Sequence, residues 1–301
     1  MALAGTLLSA FIALTAVLLA LRVFSSSRPI MTVPATARRG DVFFVSHGGP
    51  PHMYRFGSQA HSAWKAAGKI LTETKPKGIV AVSAHWENPH TTPGVIVNTN
   101  TSNPLIYDFY GFPEHFYSET FGSAGDKQLG QDVKEALRTA GVQVGEEDRG
   151  LDHGIWVPFK VAFDGKTDIP IVQVSLPGDS KVDSAVRLGR ALGTLRDKGY
   201  AVVTSGQIVH NLRDWRMGVP MPYLESFMAA TKQALSSEDP VSAVQTLAKN
   251  PQYRSAHPTD EHFLPIPVAV GATDKSDKAQ ELLSSTEDKL GWGFWRWTQE
   301  A

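Results

Sequence analysis

The chain has 301 residues, 42% of them hydrophobic, and 29 Lys and Arg stand against 30 Asp and Glu for a net charge of −1. With neither a basic excess nor an acidic block, a nucleic-acid partner and a solvated acidic tail are both excluded. Cysteine is absent, so disulfides, thiolate metal sites and cysteine-held iron–sulfur clusters are excluded, and any metal must be held mainly by His, Asp or Glu.

The first forty residues read apart from the rest. Residues 2–21 carry no charge, and at about 1.5 Å each they would cross a ~30 Å hydrocarbon core. Segment 1–24 is therefore expected to be a hydrophobic anchor or targeting segment. Arg22, Arg28, Arg38 and Arg39 all precede or border the first acid, Asp41. The positive-inside tendency then predicts membrane attachment through a transmembrane helix at 2–24, with the remainder facing the cytoplasm. A secretory signal, a mitochondrial presequence, and a soluble cytoplasmic protein starting at Met31 are the alternatives. Residues 25–40, with a serine triplet and two prolines, read as linker. Residues 41–301 are long enough for one domain of about 260 residues.

Strand and helix signals then alternate. Residues 42–46 (VFFVS) read as a first buried strand, ended by Gly48-Gly49-Pro50-Pro51. An amphipathic helix is expected at 59–72 and a second apolar strand at 79–84, the pattern of a sheet covered on both faces. A short strand follows at 94–97. The aromatic-rich 101–121, punctuated by Pro104, Gly111 and Pro113, reads as a long ordered loop. Helices are expected at 126–140, 154–163, 182–198, 222–235 and 241–247, and strands at 169–176, 200–205 and 291–298. Residues 259–271 read as helical at the start, with Pro265 and Pro267 bending or ending the helix. This alternation predicts a single α/β domain with a central, mostly parallel mixed sheet flanked by helices.

Ten histidines occur. His47, His85 and His210 each follow an apolar run read as a strand or its continuation. His153 opens a helix, and His262 is expected in the first turn of a later one. His52, His61, His90 and His115 lack such framing and read as surface or loop residues; His257 is intermediate. In an open α/β sheet the carboxyl ends of strands share one crevice. At least three of His47, His85, His153, His210 and His262 are expected to meet there, and three imidazoles would make a facial site for a divalent ion such as Fe(II) or Zn(II).

These residues also carry a resemblance. The runs Val45–Pro50 (VSHGGP), Ser83–Glu87 (SAHWE), Tyr107–Pro113 (YDFYGFP), Leu151–Gly154 (LDHG), Ser205–Leu212 (SGQIVHNL) and His257–Pro265 (HPTDEHFLP) are similar to the class III extradiol ring-cleavage dioxygenases. Within that family they most resemble the DOPA 4,5-dioxygenase type, and the resemblance runs from about Asp41 to the carboxyl terminus, in order and at family spacing. The resemblance implies a metal held by His47, His85 and His262. It implies His210 as the acid/base residue, near the metal or as a further ligand, and His153 in contact with substrate or oxygen. Glu261 stands beside His262, and the choice between them as third ligand stays open; adjacent helix residues point about 100° apart, so one ion would take only one of them.

The activity implied is opening of a catechol, DOPA-like, by O2 to a muconic semialdehyde, with Fe(II) for activity and Zn(II) able to fill the same site. Tyr107, Tyr110 and Trp86 are the candidate substrate-binding residues, as aromatic walls for a flat ring. A Zn-dependent hydrolase needs the same ligands and is the alternative. A Ser-His hydrolase is disfavoured, because no Gly-x-Ser-x-Gly elbow is present.

Overall fold

The computed structural model describes residues 38–299. Its strands are β1 Val42–Ser46, β2 Ile79–Glu87, β3 Val95–Asn98, β4 Val144–Glu147, β5 Ile171–Leu176, β6 Ala201–Gly206, β7 Lys278–Ser285 and β8 Trp292–Thr298. They form one sheet in the order β4-β3-β5-β2-β6-β1-β8-β7. The central four, β5-β2-β6-β1, run parallel. β3 joins β5 antiparallel, as β8 joins β1 and β7 joins β8.

The helices are α1 Gln59–Thr74, α2 Lys127–Thr139, α3 His153–Ala162, α4 Val182–Gly193, α5 Leu212–Met217, α6 Tyr223–Leu235, α7 Pro240–Leu247, α8 Tyr253–Ala256 and α9 Pro265–Gly271. Two cores lie on opposite faces of the sheet, and the strand period of two divides β1 between them. Val42 and Phe44 pack with residues of α2, α4, α6, α7 and α9. Phe43 and Val45 pack with residues of α1 and α3. Burial on both faces is why these strands read as unbroken apolar runs. The described residues thus form the single α/β domain with a mostly parallel mixed sheet that the alternation predicts.

Four local expectations are corrected. α9 begins at Pro265 rather than being ended by it: proline at the first helical position loses no helical hydrogen bond. His262 accordingly lies in the turn before α9, not in a helix. The segment expected as one helix at 182–198 closes as α4 and continues as a 3-10 turn, Thr194–Lys198. His52 is buried, with Nδ1 against the Gly49 backbone.

The expected transmembrane helix is also corrected, and with it membrane attachment and the membrane-anchored localisation. No helix among the described residues is long and apolar enough to cross a membrane. Residues 2–24, to which the sequence assigns it, lie outside the described residues, as does most of the linker.

Candidate active site

Because β1, β6 and β2 are adjacent and parallel, their carboxyl ends open on one side of the sheet. His47 follows β1 directly, its N–H donating to Gly206 O at the end of β6 (3.2 Å). Gly48 then turns the chain away with φ +54°, a left-handed conformation that suits glycine. His85 lies near the end of β2, which runs three residues beyond its expected limit and past its last pairing with β6 at Ser83. A register shift against β5 between Val82 and Glu87 re-aims this overhang.

The remaining histidines are brought in by main-chain contacts to the same edge. Gln207 N–H donates to His262 O at 3.0 Å, docking the turn before α9 against the end of β6. His210 N–H donates to Ala256 O at 2.9 Å. His153 is the first residue of α3, after the fully buried Asp152. Ser83 Oγ donates to Asp152 (2.6 Å), as do the Gln173 amide and the Arg149 guanidinium. Burial, and then the nearby Asp108, push the Asp152 carboxyl upward, against the pull of these donors.

All five framed imidazoles meet. The rings of His47, His85 and His262 form a near-equilateral triangle, with centroids 4.9, 5.0 and 5.2 Å apart. His210 stacks on His262 at 3.5 Å and 11°. His153 lies 3.9 Å from His85 and 5.7 Å from His47. Possible ligand atoms fall into two sets, His47 with His85 and His153, and His210 with Glu261 and His262, each within 4.8 Å.

A divalent ion fits this arrangement. Nε2 of His47 and Nε2 of His85 stand 3.0 Å apart, and two nitrogens bound at right angles at about 2.1 Å have a separation of about 3.0 Å. Three imidazoles on one such ion would place their centroids roughly 4.6–5.3 Å apart, which the His47–His85–His262 triangle meets and His153 does not. Each of these three rings also turns Nδ1 toward an oxygen: Ser205 Oγ for His47 (2.9 Å), Asp108 Oδ2 for His85 (3.3 Å) and Glu261 Oε1 for His262 (2.9 Å). Oxygen partners on the outer nitrogen are the usual support of a metal-binding histidine. Burial first, and the neighbouring imidazoles next, hold the three rings well below the usual imidazole range. They are therefore neutral and have a lone pair to offer.

Residues 41–289 match the family described as the catalytic LigB subunit of aromatic ring-opening dioxygenase. The chain belongs to this family. It is 30% identical over 269 residues to the 4,5-DOPA dioxygenase extradiol of Beta vulgaris, covering 86% of this chain and 96% of that one. It is 33% identical over 245 residues to the protein of that name from Escherichia coli K12, covering 79% and 87%. A crystal structure of an uncharacterized Escherichia coli K12 protein matches with a TM-score of 0.69 at 27% identity, covering 86% of this chain and 99% of that one. This LigB-family chain is thus an extradiol ring-opening dioxygenase of class III, in the DOPA-dioxygenase-like branch. As an oxidoreductase of that kind it takes O2 and a small-molecule substrate, and membership weighs against the hydrolase alternative.

The aromatic candidates are placed unequally in this LigB-family site. Tyr107 lies within the loop, its hydroxyl donating to Glu119 O at 2.6 Å and its ring 5.7 Å from Trp156. Trp86 is buried, with the Arg149 guanidinium 4.5 Å from its ring centroid. Tyr110 is 88% exposed and is not brought to the imidazoles. The aromatic that faces them is Phe109, 5.7 Å from His153. Two polar neighbours also escape the sequence reading, Asp108 and the supporting role of Ser205. Asp108 is the sole acid in 101–113, and an acid within an apolar run needs partners, which was the available signal.

Proposed function

We propose that this chain opens the ring of a catechol, DOPA-like in class, to a muconic semialdehyde, with one divalent ion held by His47, His85 and His262. The observation that carries the ligand set is the triangle of neutral rings, each supported from behind by an oxygen. Glu261 supports this choice, since its Oε1 already takes His262 Nδ1 and the Thr259 hydroxyl. Fe(II) is the ion expected for activity, and Zn(II) suits the same imidazoles. Such an ion would supply a positive centre that favours ionisation of the catechol oxygens.

The protein's own groups then handle protons and orientation. Burial and the nearby His153 lower His210 to about 4, so its ring is a free base at neutral pH. We assign it the role of taking a proton from the substrate and later returning one. His153, with Nδ1 facing Asp108, would turn Nε2 toward substrate or oxygen and interact with developing charge. Phe109 and Tyr107 would form the wall against the flat ring.

The test is an anaerobic mixture of the full chain, Fe(II) and a panel of catechols including DOPA, to which oxygen is then admitted. Oxygen uptake with a yellow ring-opened product is expected, and the zinc-loaded protein should give none. Failure of every catechol to support uptake sinks the substrate assignment.

A further inference from the structure

We infer that Asp108 is a positioning residue that sets the orientation and the tautomer of two site histidines at once. This rests on the reading of His85 as a metal ligand. Asp108 belongs to the aromatic loop, far in sequence from both rings. Its Oδ1 accepts from the main-chain N–H of His153 at 2.9 Å, in effect capping the first turn of α3. The same oxygen lies 2.9 Å from His153 Nδ1, and Oδ2 lies 3.3 Å from His85 Nδ1. Oδ2 and His153 Nδ1 are both buried, and neither has a partner at hydrogen-bond geometry among the described residues, so the carboxylate faces the two Nδ1 atoms as a close charge.

A carboxylate has only lone pairs to offer. Both rings must therefore present Nδ1–H to it, because a bare Nδ1 at these distances would repel. On His85 this turns the Nε2 lone pair toward His47 Nε2, the side on which an ion would bind. On His153 it leaves Nε2 on the side away from the carboxylate, free to meet substrate or oxygen. One carboxylate thus couples the candidate metal centre to the candidate substrate- or oxygen-contacting group His153, and does so from the loop that also carries Phe109.

Asn at this position makes a sharp test, since it keeps the shape and replaces one acceptor by a donor. The His153 main-chain N–H fixes the amide oxygen at the Oδ1 position. The amide NH2 must then face His85 Nδ1 and force a proton onto His85 Nε2. The experiment uses the full, metal-free chain with 15N-labelled imidazoles. Two-bond 15N–1H spectra read each tautomer, and zinc affinity is read by competition with a chromophoric chelator.

The parent should show Nδ1–H on His85, whereas D108N should show Nε2–H there and bind zinc about tenfold or more weakly. D108E, which restores two acceptor oxygens, should keep the parental His85 tautomer and so serves if D108N fails to fold. H85A separates the two ideas. If H85A binds zinc like the parent, the ligand reading is wrong. If H85A loses zinc while D108N keeps both the parental tautomer and affinity, the inference about Asp108 is wrong; loss of the His85 tautomer in D108E overturns it as well.

Discussion

Ser205 Oγ stands 2.9 Å from Nδ1 of His47 and donates its own proton to the main-chain oxygen of Gly154. Its proton being committed there, the hydroxyl can only accept from His47, which fixes Nδ1–H on that ring and frees Nε2. The same hydroxyl ties the end of β6 to the first turn of α3. Ser205→Ala leaves a buried N–H and a buried carbonyl unpaired. A stability loss of about 1–3 kcal/mol is expected from denaturant unfolding, with about tenfold weaker zinc binding. Parental zinc affinity in this variant would show that His47 needs no such support.

His210 and His262 stack at 3.5 Å, which places an imidazole outside the proposed ligand triangle yet against one of its members. If His210 moves protons, His210→Gln should retain the metal and lose activity by about 10²–10⁴ in kcat. Metal content and single-turnover rates measured on one sample decide this. Loss of metal together with activity would make His210 a ligand instead.

Acid sensitivity has a source beside the site. His257 is fully buried, and its Nε2–H donates to Ile208 O at 2.7 Å. Burial is the largest influence, and although the Ile208 bond opposes it, the ring is lowered to about 3. An unfolded chain protonates this ring near pH 6.5. Between those values the unfolded state binds the extra proton, so this contribution is full above about 6.5 and lost as pH falls toward 3. His257→Gln should remove one proton's worth, about 1.4 kcal/mol per pH unit, from the slope of stability against pH in that window. Urea titrations of parent and variant at several acidic pH values give the two slopes, and equal slopes would contradict the assignment.

How far the sequence could be read depended on burial. β1, β2 and β6 lie between two cores, so VFFVS, IVAVS and AVVTS announce themselves, and the histidines at their ends follow. β4 (VGEE) and β7 (KAQELLSS) are edge strands, mostly exposed, with no apolar alternation to reveal them. α9 was legible as helical, but its prolines read as terminators because their place relative to the first turn is a structural fact. The convergence of His262 with His47 and His85 depends on Gln207 docking a distant turn, and no local pattern encodes that. Asp108 was hidden for a similar reason: its two imidazole partners lie 23 and 45 residues away.

Gly154 shows how tightly this region is packed. A Cβ built there would stand 2.4 Å from Ser83 Oγ, 3.1 Å from His85 Cδ2 and 3.2 Å from Asp152 Oδ1. Ser83 cannot yield freely, because its hydroxyl is bonded to the buried Asp152 carboxylate at 2.6 Å and also accepts from His85 N–H at 3.1 Å. Gly154→Ala would ordinarily favour a helix by about 1 kcal/mol. Here overpacking should outweigh that preference and destabilise the protein by about 1–3 kcal/mol. The displaced groups are Ser83 and the His85 ring, so kcat and zinc affinity should fall with stability. Ser83→Ala in the same chain removes the atom of closest approach. The double variant should therefore recover part of the zinc affinity lost in Gly154→Ala, and failure to recover any would place the damage in α3 itself and not at His85.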